Sequence, residues 1–292
     1  MHEFVSFTLS GVTQGMIYSA LAMSLVLIWR GTRIVNFAQG AMGMITTYVA
    51  ITVVDRGDSY WWALVIAILA GVIIGGLVEL VLVRPVESKP PLNAVIVTLG
   101  LLILLEAIAG MVWGGRYRSF PPAFSVQGVF VGSSRINLSP FDIFTICAVL
   151  AVMVGLLVLF RWTSIGLRMR AAAFEPEVAR LLGVRVGRML TLGWALAAGA
   201  GSLAGLLVAP NVFLYPSNMD AVLVYGFTAA ILGGLDSPVG ALIGGLGIGL
   251  ALSYIGGYEG ASLETIGALV ILIALLMVRP EGLFTRVAPR RV

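Results

Sequence analysis

Long apolar runs alternate with short polar ones along nearly the whole chain. They fall at 4–29, 36–54, 60–83, 92–113, 140–160, 189–208, 220–235, 239–255 and 263–278. A helix needs roughly 20 apolar residues to cross a bilayer, and in hydrocarbon the helix satisfies its backbone groups internally. The pattern therefore predicts an all-α polytopic membrane protein with eight to nine transmembrane helices, built as a single membrane domain over 1–292. The run at 220–235 is short and lies between Pro216 and the pair Gly233-Gly234, so it reads either as a span or as a re-entrant helix buried in protein. The first run is too long for a signal-peptide core and has no basic leader, so it reads as a first span.

Two polar interruptions are long. Neither could bury a core of its own. The segment 161–188 carries six arginines and a short helix signature. Glu175 precedes Pro176, which suits the first helical position, and Glu177 complements the dipole there. Val178, Leu181 and Leu182 share one edge at helical spacing, Ala179 lies between them, and Gly183 fits the C-terminal cap. Arg170, Arg180 and Arg185 flank the signature. Such a two-turn helix is too short to stand alone, so it rests on lipid or in a protein groove. The other interruption, 116–139, holds Tyr117, Phe120, Pro121, Pro122 and Phe124. It reads either as a receiver for an outside partner or as a lid lying on the headgroups.

Composition and charge fix the orientation and remove whole classes of function. Hydrophobic residues make up 59% and charged ones 11%, against about 25% charge in soluble domains; mean hydropathy is +1.03. Of the 18 basic residues, 17 are arginine, and they stand at the ends of apolar runs. They mark topology rather than nucleic-acid binding. With 161–188 in the cytoplasm, 14 of the 18 fall inside, the N-terminus lies outside and the C-terminus inside. That count favours a true span at 220–235. Cys147 and His2 are the only residues of their kinds. No disulfide framework, thiol or histidine metal site, cofactor or Ser/His/Asp triad is expected. The chain has no Gly-x4-Gly-Lys-Ser/Thr, and its only lysine, Lys89, precedes Pro90-Pro91. It cannot hydrolyse ATP through a P-loop of its own.

Few polar residues lie within the apolar runs. Glu106 is the sharpest, because a charged carboxylate at membrane depth must face a bundle interior or a wet cavity. It reads first as an internal helix–helix hydrogen bond and second as a residue of a translocation path. Asn36 and Asp236 precede apolar helices and suit N-caps, whose free N–H groups can also meet a substrate carboxylate. Asp236 reads as a plain cap. Asn36, with Gln39 in the first turn, reads equally as cap or path residue. Glu79, near a span end and five residues from Arg84, is expected to reach for the interface. Gly240-x3-Gly244, Gly245-x3-Gly249 and the glycines from 199 to 205 read as packing seams. The segment Asn36–Ala41 resembles Asp236–Ala241, and each is followed by two spans ending in Val-Arg-Pro, which suggests an internal duplication.

Five segments together carry a family resemblance: Asn36-Phe37-Ala38-Gln39-Gly40, Gly166-Leu167-Arg168-Met169-Arg170-Ala171, Ala179-Arg180-Leu181-Leu182-Gly183-Val184, Gly233 through Ala241, and Arg279-Pro280-Glu281-Gly282-Leu283-Phe284. In this order the chain resembles, over essentially its whole length, the shorter permeases of branched-chain amino acid ABC importers. The resemblance implies two permeases forming a path, two cytoplasmic ATPase subunits and an extracytoplasmic substrate-binding protein. It implies a coupling helix at 175–183, with Glu175, Glu177, Ala179, Leu182 and Gly183 at the ATPase. This segment departs from the Glu-Ala-Ala pattern of other importers, with Glu177-Val178-Ala179 near that position. Related systems carry urea or short amides. The competing classes are a proton-coupled secondary transporter working through Glu106, which would need no ATPase, and a structural or receptor protein, disfavoured by Glu106 and the paired helix starts.

Overall fold

The computed structural model describes residues 2–87, 89–128, 130–131, 134–135, 138–279 and 282–284. Pro280, Glu281 and the tail arginines Arg286, Arg290 and Arg291 lie outside the described residues. Among the described residues eleven α-helices follow in order: α1 (His2–Thr32), α2 (Gln39–Asp55), α3 (Tyr60–Val78), α4 (Pro91–Trp113), α5 (Pro140–Trp162), α6 (Ser164–Phe174), α7 (Pro176–Leu181), α8 (Val186–Val208), α9 (Asp220–Gly233), α10 (Pro238–Tyr258) and α11 (Glu264–Val278). A small hairpin, Phe130–Val131 with Ser134–Arg135, decorates the loop before α5. Among the described residues seven helices are long and apolar enough to cross a membrane. The other two expected spans are α2, with 17 residues, and α9, with 14. The chain is thus a multi-pass membrane protein of all-α class.

Two helices form the axis. The most apolar stretches of α1 and α8 are 89% and 83% buried, against 11% for that of α5. Each axial helix pairs with an antiparallel partner through small residues. On α10, Gly245 faces Ser19 of α1 and Gly249 faces Gly15, so closely that a Cβ on either glycine would strike the α1 backbone. On α3, Gly71 faces Ser202 of α8 and Gly75 faces Ala198 in the same manner. Both serines are turned back onto their own helix, Ser19 Oγ donating to the Gly15 carbonyl at 2.7 Å and Ser202 Oγ to the Ala198 carbonyl at 2.8 Å. Ser19 also donates across the seam to the Leu242 carbonyl at 3.0 Å. Without water to drive apolar surfaces together, such close approach is what holds helices in lipid.

The two seams belong to one inverted duplication. α2 packs between α3 and α8, and α9 packs between α10 and α1. α4 lies against α2 as α11 lies against α9. Helices α1–α4 therefore match α8–α11, with Ser19 standing where Ser202 stands and Gly43 where Gly226 does. Because α1 and α8 run antiparallel, the halves are inverted. This corrects the register suggested by the sequence, which equated the start of α2 with the start of α10. Those short identities fall at helix-edge turns, where local rules repeat for local reasons. The packing signal lies in small residues four apart.

Two capping expectations are also corrected. Ala38, not Asn36, precedes the first turn of α2, and no side chain caps it. Ser237 caps α10 by accepting from the Gly240 N–H at 2.9 Å. Asp236 is instead engaged by Arg33, Nη1 to Oδ1 at 2.6 Å. Glu79 does not reach for the interface. It is 1% exposed, in a π-turn (Glu79–Val83) that continues α3 ahead of Pro85. Arg84 comes to it, donating to both carboxylate oxygens at 3.1 and 2.9 Å, and Thr191 of α8 donates at 2.7 Å. Arg84 further donates to the Gly187 carbonyl at 3.0 Å, which ties the end of α3 to the first turn of α8.

The seam predicts a contrast between glycines. Gly249→Val should destabilise the protein in detergent by roughly 1–3 kcal/mol or more, as overpacking does. Gly155→Val, on α5 with open space beside it, should leave thermal unfolding unchanged. Equal melting of the two variants would show that the α1–α10 approach is not what holds the frame.

Candidate functional site

Between the two inverted halves lies an insertion with no counterpart: the 114–139 loop, α5, α6 and α7. It places a short arm at the end of the bundle where α1 finishes and α8 begins, termed the basic end here. Ser139 and Asp142 form a reciprocal capping box that starts α5. At its far end Thr163 starts α6, its hydroxyl accepting from the Gly166 N–H at 3.1 Å. Glu175 breaks α6 from α7, and Pro176 takes the first turn of α7, as the sequence predicts. The close is a Schellman motif. Gly183 adopts φ +80°, its N–H donates to the Arg180 carbonyl at 3.0 Å, and the Val184 N–H donates to the Ala179 carbonyl at 2.9 Å.

The arm has an inner and an outer face. Ala179, 2% exposed, packs with Ala172 of α6 and with Val186 and Leu190 of α8. It faces the protein, so of the residues expected at an ATPase it is one that seats the arm instead of presenting it. The outer face carries Phe174, Leu181 and Leu182, exposed at 86%, 88% and 78%. Large apolar side chains grouped this way mark a contact surface. Glu175 and Glu177 are exposed beside them. In the turn between α3 and α4, Glu87 lies in the field of Arg84 and of Arg180 on α7. Burial and the neighbouring Glu79 push its carboxyl above the usual carboxylate range, against the pull of those two guanidiniums.

A second polar group sits where the two short helices begin. Gln39 Nε2 donates at 3.0 Å to the carbonyl of Ala197, halfway along α8, so α2 starts deep in the bundle. The chain reaches that depth by reversing at Arg33, whose φ of +55° is left-handed. Asn36 Nδ2 donates to Gln39 Oε1 at 2.9 Å, and Asn36 Oδ1 accepts from the Ala38 N–H at 3.1 Å. Both side chains are fully buried. Of the candidates for a path, Asn36 and Gln39 thus brace the start of α2 against α8. The opposite break, before α9, brings Met219 against Gly40 and Gly43 of α2, so the two helix N-termini meet inside the protein. Phe37 and Phe227 face each other beside them, ring centroids 6.0 Å apart.

Glu106, half-buried on α4, meets Asp220 at the first position of α9, side chain to side chain. Glu106 Oε1 is buried with no partner, as are both polar atoms of Asn218 two residues before Asp220. In the sequence, Asp220 shows only as an acidic residue opening an apolar run, and nothing there points to Glu106 as its neighbour.

The outer loop divides. Phe120 is buried against Tyr60, Phe124 packs on Trp61 and Phe144, and Tyr117 stays exposed against Tyr215 and Phe213. Arg118 locks this end: its backbone pairs with Leu214 and its guanidinium donates to the Trp113 carbonyl at 2.9 Å.

Comparison with known proteins gives this geometry a family. The family described as branched-chain amino acid transport system / permease component matches residues 7–278. The high-affinity branched-chain amino acid transport system permease protein LivH of Salmonella typhimurium strain LT2 is 31% identical, covering 97% of this chain and 96% of that protein. LivH of Escherichia coli strain K12 is 30% identical over the same shares. The xylose/arabinose import permease protein XylH of Sulfolobus acidocaldarius is 31% identical over 65% of this chain and 54% of that protein. No solved structure matches. The chain belongs to the family of branched-chain amino acid transport permease components.

Proposed function

We propose that the chain is the membrane-spanning permease subunit of an ATP-binding-cassette importer that carries branched-chain amino acids into the cytoplasm. The observation that carries this reading is the arm α6–α7. It is a helix too short to be stable alone, seated on α8 by Ala179 and presenting Phe174, Leu181 and Leu182 uncovered. A chain without a P-loop needs such a surface to receive work from an ATPase. The arginine count puts the arm in the cytoplasm, the N-terminus outside and the described end of α11 inside. The membrane is then the inner one, with a substrate-binding protein at the opposite end.

A second permease supplies the other wall of the path. Asp220 is exposed at membrane depth and Glu106 is half-buried beside it, and acidic groups there face a wet cavity or another subunit. The paired N-termini of α2 and α9 favour a substrate carboxylate and the Glu106–Asp220 pair its ammonium group. ATP-driven movement of the arm would carry α8 and α3 together, locked by the Arg84–Glu79–Thr191 network, exchanging access between the two ends. The sugar in the name of the Sulfolobus relative marks a second substrate class, decided by which ligand the cognate binding protein retains.

Exchanging Leu181 and Leu182 together for Asp should reduce co-purifying ATPase more than about ten-fold, since burying each leucine contributes roughly 1.5–3 kcal/mol. Permease abundance should not change. Gly183→Val, which adds about 1–2 kcal/mol of left-handed strain, should uncouple ATP hydrolysis from uptake. Full association and normal uptake in both variants would rule out docking through the arm.

Glu106→Gln should change the uptake rate far more than the amount of protein in the membrane. If rate and abundance both stay as they were, Glu106 has no part in transport. Proteoliposomes lacking the ATPase should show no uptake under a proton gradient; uptake there would replace the ABC reading with a proton-coupled carrier.

A further inference from the structure

The insertion meets the inverted frame along a crevice that the transport reading does not use. This slot of 240 Å3 opens between α1, α5 and the start of α10. Met23 and Leu27 form one wall and Met153, Leu156 and Phe160 the other. Its mouth carries three guanidiniums: Arg30 in the last turn of α1, Arg161 in the last turn of α5, and Arg170 on α6. Among the described residues no carboxylate lines it.

The slot is continuous with a larger cavity of 870 Å3, which shares Leu27, Arg30, Phe160 and Arg170 and adds Arg33 and Asp236. Asp236 is paired with Arg33 at 2.6 Å and also acts on Arg30, ahead of the opposing fields of Arg170 and Arg33. Arg30 lies over the Phe160 ring, 5.8 Å from its centroid. One carboxylate thus stands among four guanidiniums at the joined cavities, those of Arg30, Arg33, Arg161 and Arg170. Like charges gathered at a partly apolar site repel strongly unless an anion joins them.

The shape and the charge select a ligand together. α5 is mostly uncovered along its length, so the slot lies open to the hydrocarbon of the bilayer. A small free anion would answer the three arginines and leave the slot empty. A zwitterionic lipid would fill the slot and leave the guanidiniums short of charge. We propose that this crevice binds an anionic phospholipid of the leaflet at the basic end, with an acyl chain between α1 and α5 and its phosphate on Arg30, Arg161 and Arg170. The lipid then fastens α5 and α6, which belong to the insertion, to α1 of the frame. It sets the position of the arm, so the membrane's anionic content tunes whatever the arm drives.

The test uses the full-length chain in detergent, offered phosphatidylglycerol, phosphatidylcholine of the same acyl chains, or glycerol phosphate, with retained molecules counted by native mass spectrometry. Phosphatidylglycerol should be retained over phosphatidylcholine, and glycerol phosphate should neither bind nor displace it. Arg161→Gln, at an exposed position, should weaken retention about five-fold, the effect of one arginine near a membrane surface. Leu156→Trp should abolish it by filling the slot. Equal retention of the two lipids, or an Arg161→Gln protein that binds as before, overturns headgroup recognition. Displacement by glycerol phosphate makes the site one for a free anion. The measurement involves neither the ATPase nor uptake, so its failure is separable from failure of the transport reading.

Discussion

Everything else in this protein hangs on two places where helix backbones nearly touch. Gly245 and Gly249 let α10 close on Ser19 and Gly15 of α1, and Gly71 and Gly75 let α3 close on Ser202 and Ala198 of α8. In water, four such helices would be pressed together by their apolar faces. In lipid that force is absent, since the tails are as apolar as leucine, and short-range packing has to replace it. The seams make a rigid antiparallel frame around the buried axis of α1 and α8. The frame in turn permits α2 and α9 to be short. A helix that begins halfway through a bilayer leaves N–H groups without partners, which hydrocarbon does not tolerate. Here the start of α2 is wrapped by protein, and Gln39 spends its amide on Ala197 to fix it.

The insertion has the opposite character. α5 is largely exposed to lipid, α7 has six residues, and the arm is held by a small cluster around Ala172, Ala179, Val186 and Leu190. Within the frame, Arg84 spans Glu79, Thr191 and Gly187 in one fork that ties the end of α3 to the start of α8, where the arm is seated. A buried carboxylate satisfied from three sides is expensive to disturb, so α3 and the start of α8 move as one body. On the proposed reading, a push on the arm reaches the α3–α8 pair through the seat of Ala179 on α8.

How much of this the sequence discloses depends on the range of the interaction. The spans follow from hydrophobicity, and the close of α7 from Gly183, because a left-handed cap is a local demand that few residues other than glycine meet. Asp236 and Asn36 misled for the same local reason: both are good capping types, but Ser237 stood one residue closer to α10 and Asn36 was claimed by Gln39. Glu79 misled because the π-turn brings Arg84 back over it, a geometry no spacing rule anticipates. The inverted register could not be read from matching strings at all. Its signal is a pair of small residues four apart facing another such pair far along the chain, and glycine pairs are too common in membrane helices to announce which ones meet. Asp220 gained its meaning only when α9 was found to start beside α4, where Glu106 waits.

An inverted frame taken alone has no preferred direction, since turning it over in the membrane reproduces it. Directional transport needs the two ends to differ. Arg30, Arg33 and Arg84 of the duplicated helices already stand at one end, and the insertion adds to that difference. It brings Arg161, Arg168, Arg170 and Arg180 to one end, which on the proposed orientation is the side where basic residues accumulate. It places the uncovered leucines there, and at the same end it forms the arginine-rimmed crevice against α1. On the proposed reading, orientation, coupling and lipid contact coincide because one added segment bears on all three.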